Sequence, residues 1–179
     1  NVKEMDEVIP FGSGLINNTW IVKNGVQDFI LQRINHNIFK QPAAIAENIK
    51  NIANYFSCHH PGYLFVTPEK TNKGEELVFL QEYGFYRLFP FIKNSHTIDV
   101  VNTPGQAYEA ARQFGRFTKL LAGFNASSLH ITLPDFHNLS LRYQQFENAL
   151  RHGNAARIKE TADSINYLQQ HHDIVDTYN

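Results

Sequence analysis

At 179 residues, 42% of them hydrophobic and 18% charged, the chain can fill one sizeable core, or a small lobe and part of another. A net charge of −1 leaves no excess of cations for nucleic-acid phosphates or anionic lipid, so neither nucleic acid nor membrane is expected as a partner. No run approaches the roughly 20 apolar residues that cross a bilayer, no basic-then-apolar signal opens the chain, and the single Cys58 cannot form an internal disulfide. Cytoplasm is the expected compartment. The chain opens at Asn1 without an initiator Met and closes at Tyr178-Asn179 without a tail, and both ends read as cuts.

In chain order, an apolar run at 8–11 leads into Gly12-Ser13-Gly14-Leu15-Ile16-Asn17-Asn18. Thr19-Trp20-Ile21-Val22 is β-branched and aromatic, as a strand requires. Lys23-Asn24-Gly25 then reads as a tight hairpin turn whose two central residues take positive φ. Residues 29–34 return as a third strand, so a glycine loop joins the first two strands of an antiparallel meander. Pro42 suits the first position of a helix whose apolar stripe is Ile45, Ile49, Ile52 and Phe56. Strand-like runs follow at 63–66, 76–81 and 85–92, the last pair punctuated by Tyr83-Gly84. Thr103-Pro104-Gly105-Gln106 reads as a capping box that opens a second helix, with Ala107, Ala110, Ala111, Phe114, Phe117 and Leu121 at helical spacing and Gly123 as its stop. Residues 139–152 and 155–171 read as a helical hairpin broken at Gly153-Asn154.

The layout is α+β, strands first and helices after, rather than alternating βαβ. A boundary falls near Lys93-Asn94-Ser95. Residues 1–92 form a lobe with an antiparallel sheet of five to six strands and one helix, and 93–179 a hinge and the first helices of a second lobe.

A lone Gly-x-Gly is weak, because a tight hairpin loop with no ligand uses the same residues. Here the loop runs into a strand, which excludes the dinucleotide-binding arrangement of strand, glycines and helix. Between antiparallel strands, a glycine loop is how kinases lay backbone N–H groups over nucleotide phosphates; a Cβ would hold that backbone away. A cation on the third strand is the second element. Leu31 and Arg33 share a face, and if Leu31 faces the nucleotide, Arg33 can bind the α and β phosphates bidentately. The alternatives are a plain surface Arg33, or Gln32 in that role if the register is off by one. Glu47, the one acid of the 42–56 helix, is the candidate partner for the cation, against a solvated surface Glu, since it lies off the isoleucine stripe.

Phe11-Gly12-Ser13-Gly14-Leu15-Ile16-Asn17-Asn18-Thr19, with Phe29-Ile30-Leu31-Gln32-Arg33-Ile34-Asn35, resembles the N-terminal lobe of the aminoglycoside and choline kinase-like phosphotransferases. Within that family it is most similar to the N-acetylhexosamine 1-kinase branch. Tyr86-Arg87-Leu88-Phe89-Pro90-Phe91-Ile92 resembles the branch's last strand running into the hinge, and Leu133-Pro134-Asp135-Phe136-His137-Asn138 another of its stretches. The resemblance implies a protein-kinase-like fold that binds ATP and Mg²⁺. It implies nucleotide contacts from Gly12, Ser13, Gly14, Asn17, Thr19, Arg33 and Glu47, and adenine held by the backbone of Phe89, Phe91 and Ile92. Asn17 stands where the protein-kinase loop has its third glycine.

The family's catalytic loop, H-x-D-x-x-x-x-N, carries the base and a Mg²⁺ ligand. His171-His172-Asp173 with Asn179 imitates it but places the Asn one residue late, and reads instead as the polar end of a helix. No catalytic residue or metal ligand is therefore expected among the 179 residues, which by themselves should be inactive. Cys58-His59-His60 lacks the distant second pair of a zinc site and reads as a helix end. Asp135 and His137 either contact substrate or form a turn that caps the next helix. Phe85, Phe89 and Phe91 read as core and hinge packing rather than a stacking platform for bases. The expected activity is transfer of the γ-phosphoryl group of ATP to a hydroxyl of a sugar, an amino sugar above all, or a similar small metabolite. The alternatives are a non-catalytic nucleotide-binding or scaffolding module, and a helical interaction domain that binds no nucleotide.

Overall fold

The computed structural model describes residues 7–178. Five strands, β1 (Glu7–Pro10), β2 (Asn18–Lys23), β3 (Phe29–Ile34), β4 (Val78–Leu80) and β5 (Gly84–Pro90), form one antiparallel sheet in the order β1-β2-β3-β5-β4. Helix α1 (Pro42–His59) connects β3 to β4. After β5 come α2 (Pro104–Leu120), a 3-10 turn at Ala126–Ser128, α3 (Leu139–His152), α4 (Ala155–Glu160), α5 (Ala162–Gln170) and α6 (Asp173–Tyr178). The chain divides into two compact units, Asn1–Thr132 and Leu133–Asn179.

Residues directly opposite one another in adjacent strands share a face, and faces alternate along each strand. Trp20, Leu31 and Leu88 stand in one cross-strand row, and Ile21, Ile30 and Phe89 in the neighbouring row on the other face. The most buried side chains are Val22, Ile34 and Phe56, with Phe29 close behind. Phe56 ends the α1 stripe, and the rings of Tyr63, Phe65 and Phe117 lie 4.8, 5.3 and 5.8 Å from its own. Ile45, Ile49 and Ile52 are half-buried. The Thr103–Gln106 capping box opens α2 as the sequence indicates. Beyond its end, Gly123 leaves room for the Tyr55 hydroxyl, which would stand 2.9 Å from a Cβ there. Phe117 of the α2 stripe is half-buried, whereas Tyr108 and Phe114 are exposed.

Three local expectations are corrected. The β2–β3 connection is a five-residue loop, not a two-residue turn: Gly25 takes φ 72°, but Asn24 does not take positive φ. Its carboxamide oxygen instead accepts the N–H groups of Val26 and Gln27 at 3.1 and 2.9 Å, which stabilises a wider turn. Residues 63–66 join no strand, because Tyr63 and Phe65 turn onto Phe56 and Pro68 has no N–H to donate. A single bond from Glu69 N–H to the Leu88 carbonyl, 2.7 Å, ties this segment to the sheet. Residues 155–171 form two helices, since the Thr161 hydroxyl bonds back to the Arg157 carbonyl at 2.8 Å and the helix breaks there.

In the second unit, Asn138 caps α3 by accepting the Leu141 N–H at 2.9 Å and donates its own amide to Asp135. Asp135 takes φ 59°, and its carbonyl accepts from Arg142. The Tyr178 hydroxyl donates to the His137 carbonyl at 2.8 Å. Gly153 ends α3 where a Cβ would collide with the Ala149 carbonyl, and Asn154 caps α4.

Candidate functional site

The loop at 12–17 hangs from a closed neck, where Phe11 N–H donates to the Thr19 carbonyl at 2.9 Å. Gly12 holds φ 80°, in the left-handed region that glycine alone enters without strain, and Ser13, Gly14 and Leu15 are exposed. Asn17 is half-buried and has a structural partner: its side-chain oxygen accepts the Asn35 N–H at 2.9 Å, tying the loop's end to the exit of β3. The loop backbone therefore stays open to solvent while its two ends are fixed.

On the face of β3 that carries Ile30, a pocket of about 480 Å³ opens beside the start of that loop. Phe11, Ile30, Val66, Phe89, Phe91 and Ile92 give it an apolar lining, and Ser95, His96 and Thr97 supply a polar edge. The size and the balance of many apolar to few polar groups are those of a small-molecule site. Phe89, Phe91 and Ile92, singled out in the sequence, all meet here. Below them the chain turns tightly, the Ile92 carbonyl accepting Ser95 N–H at 3.2 Å and its hydroxyl at 2.6 Å, with Asn94 at φ 61°. The Phe91 N–H is taken by the Asp28 carbonyl at 2.9 Å, and Pro90 has none.

One row further along the same face lie Thr19, Gln32 and Arg87, opposite one another on β2, β3 and β5. The Gln32 side-chain oxygen accepts from Arg87 Nε at 2.9 Å and Nη2 at 2.6 Å, and its amide reaches toward the Thr19 hydroxyl at 3.5 Å. The Arg87 guanidinium also lies 5.0 Å from the centre of the Phe89 ring. Burial lowers its pKa from the ordinary arginine value, and no described carboxylate forms an ion pair with it.

Arg33 and Leu31 stand on the opposite face, with Tyr86 and Leu88 across from them, so Arg33 does not share a face with the pocket. Nor does Glu47 hold Arg33. Its carboxylate bonds His130 Nε2 at 2.8 Å, and the neighbouring Asn48 clamps the His130 backbone from both sides, accepting its N–H at 2.8 Å and donating to its carbonyl at 2.9 Å. Sequence reasoning missed Arg87, although its signal was present: Phe85, Arg87 and Phe89 alternate, so one inward aromatic face carries a lone cation.

The remaining polar motifs form element ends. His59 closes α1, stacks on Tyr55 at 4.4 Å and bonds that residue's carbonyl, while Cys58 is exposed. His171 follows the last residue of α5 and Asp173 opens α6. Among the described residues, no three His, Cys, Asp or Glu side chains converge into a group that could hold a metal ion.

An antiparallel sheet in this order, with one helix between β3 and β4 and helices after β5, is a kinase-like N-lobe followed by the helical start of a C-lobe, the fold of the aminoglycoside phosphotransferases. The chain is similar to the crystal structure of spectinomycin phosphotransferase, APH(9)-Ia, in complex with ADP and spectinomycin, with a TM-score of 0.61 and 11% sequence identity. The match covers 97% of this chain and 53% of that one, so the chain spans about half the length of the structure it matches. No protein-family profile matches the chain.

Proposed function

We propose that this chain is the ATP-binding part of a small-molecule kinase that transfers the γ-phosphoryl group to a hydroxyl of a sugar, an amino sugar first, or of a similar metabolite. One observation carries the reading: the apolar pocket of about 480 Å³ between Ile30 and the segment from Phe89 to Ile92, next to an open glycine loop. A purine ring is flat and apolar on both faces, which suits walls made of Ile30, Val66 and Phe89. Pro90 has no N–H and that of Phe91 is taken by Asp28, so base recognition would fall to the remaining N–H groups and carbonyls of the segment. The amides of Gly12, Ser13 and Gly14 would cover the phosphates, Thr19 would lie at the loop's base, and Asn17 would hold the loop in place. That the similar structure contains ADP and a small-molecule substrate supports the reading.

In this reading residues 1–92 are the nucleotide-binding lobe and 93–179 the hinge and part of the acceptor lobe. The reading further assigns the Mg²⁺ ligands and the catalytic base to an H-x-D-x-x-x-x-N loop that these 179 residues do not contain, so that alone they would not transfer phosphate. The expected compartment is the cytoplasm.

The test is a coupled ADP-release assay on the full-length protein with MgATP and a panel of N-acetylhexosamines, other sugars, aminoglycosides and choline. Acceptor-dependent ADP release with at least one of these is expected. Nucleotide binding without turnover on any acceptor would support the non-catalytic module instead, and no nucleotide binding at all would leave an interaction domain.

A further inference from the structure

We infer that Arg87 of β5, oriented by Gln32 of β3, is the cation that grips the nucleotide's phosphates, and that Arg33 does not take this part. The inference rests on the pocket being a nucleotide site, and adds the residue that would recognise the charged half of the ligand.

The geometry leads there by parity. Ile30 and Phe89 line the pocket. Two residues along each strand, about 7 Å further on the same face, stand Gln32 and Arg87. A ligand whose flat ring sits on Ile30 and whose chain runs toward the glycine loop passes this row, because Thr19, the second residue of β2 beyond the loop, stands in it. Arg33 is separated from that path by the thickness of the sheet.

The chemistry points the same way. Arg87 is half-buried and none of its nitrogens is both buried and unpaired, so the donors it does not use inside the protein face solvent, where a ligand can reach them. Within the protein its pairing is incomplete. One neutral carbonyl oxygen, from Gln32, takes Nε–H and one Nη2–H, and the Phe89 ring faces the cation. Of the five N–H donors of an arginine, three remain, and no described carboxylate neutralises the charge. Gln32 fixes the orientation without cancelling the charge, where a Glu in its place would do both. Two oxygens of a diphosphate match the remaining fork.

Calorimetric titration of the full-length protein with ADP and, separately, with adenosine tests the inference. In R87M, ADP affinity is expected to fall on the order of 10- to 100-fold, the equivalent of losing charge-assisted hydrogen bonds, while adenosine affinity is unchanged. Q32E, which keeps the residue's size and places a carboxylate against Arg87, should also weaken ADP at least about tenfold and spare adenosine, and it remains informative if R87M fails to fold. R33M should retain both affinities. Undiminished ADP binding in Q32E and R87M, loss of ADP in R33M, or an equal loss of adenosine and ADP in R87M would overturn the inference. A wild-type protein that binds neither ligand would instead sink the nucleotide reading on which it rests.

Discussion

Gly12 sits at φ 80° with open space where a Cβ would stand, so its requirement is conformational and not steric. Gly12→Ala is therefore expected to strain the backbone by about 1–2 kcal/mol without a clash, and to relieve that strain by shifting the loop away from its open position. Thermal unfolding should report the cost, and ADP titration a weakened phosphate contact; a G12A protein as stable as the parent, with ADP affinity unchanged, would contradict this account of the loop. Of the loop's residues only Gly12 takes the left-handed φ that restricts residue choice, and Asn17 serves the loop by accepting the Asn35 N–H, a bond to a residue 18 positions on that nothing local marks. The cation was not legible either. Which face Arg33 takes depends on the parity of a strand, and a one-residue slip exchanges the faces. The alternating pattern of β5 held the answer in Arg87, beside a phenylalanine two residues on. Glu47 was off the apolar stripe, as helical geometry indicates, but its partner His130 lies 83 residues away and nothing local marks it.

At the scale of elements, helix starts were the most readable features. Thr103 with Gln106, Asn138 and Asn154 cap their helices through side-chain oxygens, and the chemistry of a cap is local. Gly153 was legible as a break, though for another reason than glycine flexibility: the Ala149 carbonyl comes too close for any Cβ. Residues 63–66 misled because alternation cannot tell a paired strand from a segment whose rings turn onto a helix. The attachment of 125–131 to α1 was also invisible, since it depends on amide groups meeting across the chain. Asn48, with both of its bonds to the His130 backbone and Asn51 reaching the Ser128 carbonyl at 3.5 Å, forms that clip. Asn48→Ala should lower stability by about 1–2 kcal/mol and speed amide exchange at His130 above that at residues of β3. Unchanged exchange at His130 would show that the clip does not hold the segment.

At the scale of the molecule, the strand order β1-β2-β3-β5-β4 defines the fold, with β5 pairing β3 and sending the chain out beside the pocket. The α+β layout and the helix between β3 and β4 were readable from periodicity alone. The insertion of β5 between β3 and β4 was not, because pairing partners leave no trace in a single strand's pattern. Among the described residues no helix is long and apolar enough to cross a membrane. The likeness to APH(9)-Ia, at 11% identity, is one of fold alone. Function must then be argued from the site rather than from the fold.

The most direct measurement is methyl NMR of the full-length protein labelled at isoleucine, titrated with ADP. Ile30 and Ile92 line the pocket, whereas Ile165 and Ile174 lie in α5 and α6 of the second unit. Saturable shifts centred on the Ile30 and Ile92 methyls, larger than any at Ile165 or Ile174, are the result predicted. Saturating ADP that leaves Ile30 and Ile92 unmoved would contradict the assignment of this pocket to a nucleotide.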